Sequence, residues 1–248
     1  MEVTLLGFGE AGQAFATGWR DAGLAIDLRS YDRKLEDEAQ DDLHEAAARA
    51  QVGLVAHARA FAGIQHVVSV VTADQALKAA QDAAPYLSPG QIYWDLNSVA
   101  PATKRSAADA VTASGALYVD VGVLSPVHPK RHHAPLAIAG PRTPEVAAAV
   151  DALDLRAQHL SDRIGDAAAL KLLRSVVIKG IEGALVECVA AGRVAGLTEP
   201  VLASLAPSFP GIDWPARAAY VCDRVRQHGP RRAAEMQEAA AFLSEIGI

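Results

Sequence analysis

Residues 5–15 read LLGFGEAGQAF. Glycines fall at Gly7, Gly9 and Gly12, directly after an apolar, β-prone run that begins at Val3, and helical spacing follows from Glu10 to Ala22. A strand, a glycine turn and a helix start in that order make a particular junction. Gly7 permits the sharp turn, Gly9 lets main-chain N–H groups come close to a phosphate, and Gly12 lets the helix lie close to the strand. The helix N-terminus adds unpaired N–H groups and partial positive charge. With Phe8, Glu10 and Ala11 completing the turn, the stretch reads as a dinucleotide site, the alternative being a purely structural bend.

Working outward, apolar strand candidates appear at 24–33, 52–56, 66–72, 91–98, 117–124 and 135–140, with helical stretches at 35–50, 73–87, 101–115 and 143–153 between them. Alternation of short strands with helices of about 12 residues is the pattern of a parallel sheet covered on both faces. Beyond residue 160 no further strand is expected. Residues 166–196 read as one long helix, and after the break PSFPGIDWP helices resume from Ala216 and Pro230. The expected architecture is α/β: a Rossmann-type doubly wound parallel sheet over 1–162, then a smaller all-helical domain over 163–248.

In such a fold the second strand ends on the residue that reads the adenosine ribose. Asp32 lies 20 residues beyond Gly12. A carboxylate there accepts from the ribose hydroxyls and repels a 2′-phosphate, which leans the reading to NAD. Arg33 beside it is suited to a 2′-phosphate and keeps NADP open. Val71 and Thr72, ending the strand at 66–72, are placed against the same cofactor.

The chain has 248 residues, 51% of them hydrophobic, and a net charge of −6. No basic stripe points to nucleic acid. No run approaches the ~18 apolar residues of a membrane span. The start MEVTLLGFGE lacks a basic leader region, so a cytoplasmic protein is expected. Cys188 and Cys222 read as small apolar residues in a reducing compartment rather than as a disulfide.

Three further stretches carry a resemblance. YWDLNSVAPATKR (93–105) resembles a strand-end Asp-x-Ser-Thr-x-x-Pro segment, with Asn97 standing where a hydroxyl is usual beside Ser98. YVDVGVLSP (118–126) is similar to an Asp-Ala-Pro-Val-Ser-Gly-Gly loop: Asp120 and Val123 match, Gly122 replaces Pro, Leu124 replaces Ser, and Ser125-Pro126 replace the glycines. IGDAAALKLLRS (164–175) resembles a Gly-x5-Lys-x-x-Asn-Asn helix, with Lys171 matched and Arg174 and Ser175 in place of the asparagines. Together these identify the chain as similar to the β-hydroxyacid dehydrogenase and 6-phosphogluconate dehydrogenase-like superfamily. HGPRRAAEMQEAA (228–240) looks like the tail of a less characterised branch of it. The resemblance implies an NAD(P)-dependent dehydrogenase or reductase acting on the CH–OH group of a small 3-hydroxy acid. It places Asn97 and Ser98 by the nicotinamide end of the cofactor, and Gly122, Val123, Leu124, Ser125, Arg174 and Ser175 around the substrate.

Lys171 itself lies among apolar neighbours. Its stem is then buried, and its amine is expected either to snorkel to solvent or to sit in a cleft with a lowered pKa, able to exchange a proton. Positions 171, 174, 175 and 178 share one helix face, so Arg174 is placed to hold a carboxylate. Lys171 is taken as the general acid–base group and Lys179 as the second candidate. The alternatives are an imine or keto reductase of the same superfamily, and a cofactor-binding regulatory protein without turnover. HPKRHH (128–133) reads as a basic loop, since no Cys, Asp or Glu accompanies its histidines at ligand spacing, and no metal is expected. A helical domain of about 85 residues commonly buries a face against a twin, so a homodimer is expected.

Overall fold

In the computed structural model, which describes residues 1–36, 41–57 and 60–248 with the side chain of Arg231 left aside, the apolar run after Met1 forms β1 (Glu2–Leu6). Its neighbours are β2 (Asp27–Tyr31) and β4 (His66–Ser69), and the two-residue β3 (Gly53–Leu54) closes that side. On the other side follow β5 (Ile92–Asp95), β6 (Leu117–Val123), β7 (Leu136–Ala139) and β8 (Ala157–Ser161). The order is β3-β2-β1-β4-β5-β6-β7-β8, the doubly wound arrangement expected. The register aligns Tyr31, Leu6, Ser69, Asp95 and Asp120 in one row across five strands, so the turns after β1, β2, β4 and β5 leave from one edge.

Two details differ from the sequence reading. β7 runs antiparallel to β6, because residues 124–135 join them without the crossover helix that a parallel neighbour needs. β8 is an additional strand. Its sequence AQHLS is polar and alternates between half-buried and exposed, as an edge strand can, so it lacks the apolar run by which the other strands are read.

Strand alternation divides the apolar side chains between two faces. Val3, Leu5, Ile92, Trp94 and Val121 pack with Phe15 and Trp19 of α1 (Glu10–Asp21), Ala46 of α2 (Asp41–Arg49) and Val146 of α5 (Pro144–Ala152). Leu6, Val67, Tyr93 and Tyr118 pack with Ala80 of α3 (Ala76–Ala83) and Ala107 and Val111 of α4 (Pro101–Thr112). Part of the helix expected at 35–50 is a short 3-10 turn, Arg33–Glu36, ahead of α2; residues 37–40 lie outside the described residues.

The chain divides into two compact units, Met1–Lys171 and Leu172–Ile248. The boundary falls inside the long helix α6 (Asp166–Ala195). In the second unit α7 (Thr198–Leu205) and α8 (Trp214–Glu245) follow, and α8 is interrupted at His228, two residues before Pro230. Leu185, Val189, Leu202, Trp214 and Val221 form its core. Glu182 is buried there and receives Arg217 Nη2 at 3.2 Å and Arg232 at closer range, so Arg232 is committed to an internal ion pair. Lys179 pairs with Glu235. Cys188 and Cys222 are free and half-buried. Among the described residues no helix is long and apolar enough to cross a membrane.

His66 on β4 gives the first unit an acid sensitivity. Burial, with the N-terminal ammonium adding, lowers its pKa from 6.5 to about 4. The unfolded chain takes up this proton near pH 6.5 and the folded chain only near 4. Stability is therefore full above pH 6.5 and falls as the pH drops toward 4, by at most on the order of 3 kcal/mol. His66→Gln is expected to flatten this part of the stability profile, measured as urea midpoints at pH 7 and pH 5; equal slopes in both proteins would remove His66 as the cause.

Candidate active site

The glycine turn takes the conformation its sequence requires. Gly7 has φ +93° and donates its N–H to Tyr31 O at 2.8 Å. A Cβ on Gly12 would stand 2.6 Å from Gly7 O, so α1 can lie this close only with glycine there. At Gly9, the N-cap of α1, a Cβ would meet nothing within 4 Å, and no side chain caps the helix. Folding needs glycine at 12, whereas the space over Gly9 is open. Gly9→Val is expected to cost at most about 1 kcal/mol of stability, from the poorer N-cap, while weakening dinucleotide binding more than about tenfold, roughly 1.4 kcal/mol. Gly12→Val is expected to cost about 1–3 kcal/mol of stability by overpacking. Thermal melts and NAD(P)H fluorescence titration separate the two effects.

Asp32 is fixed beside this turn. Phe8 N–H donates to its Oδ2 at 2.7 Å and Lys34 N–H to its Oδ1 at 3.0 Å. The Phe8 side chain lies in the core and Ala11 is half-buried, while Glu10 is exposed at the helix start. Arg33 is exposed and donates to Gln75 Oε1 at 2.9 Å. Val71 is half-buried and Thr72 exposed, immediately before the 3-10 turn Ala73–Gln75.

Along the same edge lies a buried polar network. Asp95 and Asp120 end up side by side in register, both fully buried. Lys104 of α4, also fully buried, bridges them: its Nζ is 2.9 Å from Asp95 Oδ1, 3.3 Å from Asp120 Oδ1, and donates to Asp95 O at 2.6 Å. Tyr118 Oη donates to Asp95 Oδ2 at 2.6 Å. Burial, and then the Asp95 carboxylate, hold the Tyr118 hydroxyl well above its usual pKa, so it stays a donor. Asn97 donates its N–H and its Nδ2 to Asp95 Oδ1 at 2.9 and 2.8 Å, and Nδ2 also to Ser69 Oγ at 2.9 Å. Asp120 Oδ2 accepts from Gly165 N–H at 3.0 Å and Ala168 N–H at 3.1 Å, so it anchors the start of α6.

This network fixes both supports of one contact: Lys171 Nζ donates to Ser98 Oγ. Ser98 follows Asn97 at the end of β5, and Lys171 lies in the second turn of α6. Gly122 on β6 makes the approach possible, since a Cβ there would lie 2.6 Å from Ala167 O and 3.5 Å from Lys171 Cβ. Gly7, Asp32, Asn97, Ser98, Gly122 and Lys171 thus all belong to the first unit, on or beside the row of strand ends. Half-buried Val123 ends β6. Leu124 packs against the Ala137, Ala139 and Ala167 cluster, and Ser125 Oγ donates to Pro126 O at 3.0 Å. Arg174, exposed, and Ser175, half-buried, fall in the second unit.

Lys104, Tyr118 and Ser69 are the polar residues that sequence reasoning missed here. A signal for Lys104 did exist: it occupies a place in the buried stripe Pro101, Ala107, Ala108, Val111 of α4, where a surface lysine does not belong.

The residues present fit a dinucleotide. Open space lies over Gly9, the first turn of α1 has no side-chain cap, and Asn97 Oδ1 is a buried acceptor with no hydrogen-bond partner among the described residues.

Comparison with known proteins identifies relatives of this fold. Residues 193–248 match a domain of unknown function, DUF1932. A conserved hypothetical protein from Sinorhizobium meliloti is similar over 100% of this chain and 83% of its own, at 36% identity and a TM-score of 0.78. A conserved protein of unknown function, described as structurally similar to 3-hydroxyacid dehydrogenases, matches over 99% of this chain and 90% of its own at 28% identity and a TM-score of 0.76. An imine reductase from Myxococcus stipitatus in complex with NADP+ shares the fold, at 19% identity and a TM-score of 0.69 over 92% of this chain and 78% of its own. No curated protein sequence matches the chain. The fold is an NAD(P)-binding one of the 3-hydroxyacid dehydrogenase kind. Residues 2–165, more than half of the chain, match the model described as the NAD binding domain of 6-phosphogluconate dehydrogenase, and the chain belongs to that family.

Proposed function

We propose that the protein is an NAD(P)-dependent oxidoreductase that acts on a small 3-hydroxy acid, with Lys171 as the general acid–base group. The observation that carries this reading is the Lys171–Ser98 contact, an amine and a hydroxyl held together at the strand ends. The main-chain N–H groups at the start of α1 would hold the cofactor's pyrophosphate, and Asp32 its ribose. When bound, the nicotinamide supplies or accepts the hydride. The Lys171 amine takes the proton of the substrate hydroxyl in the oxidation and returns it in the reduction, and Ser98 Oγ fixes where that amine points. Asn97 Oδ1 offers an acceptor to an amide donor. Val123 is assigned to the apolar part of the substrate.

NAD is the cofactor in this reading, because main-chain amides hold the Asp32 carboxylate where a 2′-phosphate would bring further negative charge. Arg33 and the NADP+-bound neighbour favour NADP. A second reading, reduction of an imine, draws on Leu124: its side chain is taken up in an alanine cluster, and no hydroxyl is offered at that position. We also infer a homodimer, which light scattering tests.

Fluorescence titration with NADH and NADPH, followed by turnover assays over 3-hydroxy acids and cyclic imines, tests these readings. Oxidation of a hydroxy acid supports the first, and reduction of imines alone supports the second. Tight dinucleotide binding with no turnover of either class leaves a regulatory protein and sinks both.

A further inference from the structure

We propose that His132, His133 and Asp154 form a binding site for a divalent transition-metal ion of the zinc class, separate from the dinucleotide turn and from Lys171. The two histidines close the 3-10 turn Arg131–His133 between β6 and β7. Asp154 lies in the turn between α5 and β8, in a left-handed conformation with φ +48°. Twenty-one residues separate it from His133, which is why ligand spacing in the sequence does not reveal the set.

One ligand atom from each residue lies within 4.8 Å of the others. His133 Nε2 is 2.7 Å and His132 Nε2 3.7 Å from Asp154 Oδ2. Bonds of about 2.0–2.2 Å around a tetrahedral ion place its donor atoms about 3.3–3.5 Å apart. The two distances bracket that value, and all three donor atoms already lie within 4.8 Å of one another. The two imidazoles already lie side by side, with ring centroids 3.9 Å apart and planes tilted by 40°.

His132 is the residue that asks for a ligand. It is 4% exposed, and neither ring nitrogen has a hydrogen-bond partner among the described residues. A buried imidazole without partners is costly, and the 3.7 Å contact to Asp154 is too long for a hydrogen bond. The ring is admitted by Gly18 of α1, where a Cβ would stand 2.3 Å from His132 Nδ1. Nδ1 is therefore turned against the helix, leaving Nε2 for the side of Asp154.

The surrounding charges leave the site open. Arg156 Nη2 sits 3.5 Å from Asp154 Oδ1, the other carboxylate oxygen, and Arg131 is paired with Asp21. The His133 and Asp154 side chains are 38% and 37% exposed, which gives an ion a way in. Two imidazoles and one carboxylate are donors of the kind zinc takes, with the fourth position open to water.

The test uses the full chain, stripped with a chelator and titrated with Zn2+ by calorimetry and with Co2+ by visible absorption. One ion per chain is expected, with tetrahedral Co2+ bands. His133→Ala and Asp154→Asn are each expected to weaken binding at least about tenfold, the scale on which even outer-shell partners act. Both residues are partly exposed, and asparagine tolerates the left-handed turn, so circular dichroism is expected to report unchanged folding. NAD(P)H binding is expected to be the same in both variants, which keeps this test independent of the oxidoreductase reading. Absence of saturable binding, or binding undiminished in both variants, overturns the site and leaves only a hydrogen-bonded His133–Asp154 pair.

Discussion

Lys104→Met is expected to destabilise the Met1–Lys171 unit by about 3–5 kcal/mol, the loss that follows when one partner is removed from a buried ionic group. The lysine bridges Asp95 and Asp120, and both carboxylates are shut away from water. Methionine fills much the same volume, so packing survives while two neighbouring anions lose their common counter-charge. Asp95 O loses a donor as well. Urea unfolding of both proteins at pH 7.5 measures this. A midpoint unchanged by the substitution would show that the trio does not hold the strand ends as described.

Lys171→Ala is expected to lower turnover by about 10²–10⁴, the usual contribution of a positioned acid–base group, on whichever substrate the assays identify. Alanine preserves the helix, and the α6 start stays fixed because Asp120 holds it through main-chain amides. The glycine turn lies on other elements, so NAD(P)H titrations are expected to coincide for the two proteins. Ser98→Ala is expected to have a smaller effect, since the amine remains and only its orientation is lost. Turnover of Lys171→Ala within a few-fold of the parent would move the proton transfer elsewhere, with Lys179 the next residue to change, although it is engaged by Glu235.

What could be read in the sequence is what local pattern encodes. The runs at 66–72 and 91–98 are strands because both faces of a central parallel strand are buried, so apolar residues come without interruption. The glycine turn is legible because its three positions have separate steric demands. β8 is not, since an edge strand has water on one side and AQHLS alternates weakly. The reversal of β7 had a signal that the strand list alone does not use: residues 124–135 hold no crossover helix, which a parallel neighbour requires. Lys104 left only the trace of a lysine within an apolar helix stripe, and Tyr118 left none. A lysine or tyrosine looks alike at the surface and in a core until the partner that neutralises it is known, and here the partners come from other strands. Asp154 was hidden in the same way, by distance along the chain.

The two rims of the sheet bear on how copies of this chain could meet. One ends in β3, two residues long. The other is β8, flanked by Arg156 and Asp162 and carrying His159. Too short a template on one flank and a charged one on the other discourage strand addition, the common route from a twisted sheet to fibrils or to a continuous intermolecular ribbon. Self-association of this chain is thereby steered toward its helical surfaces.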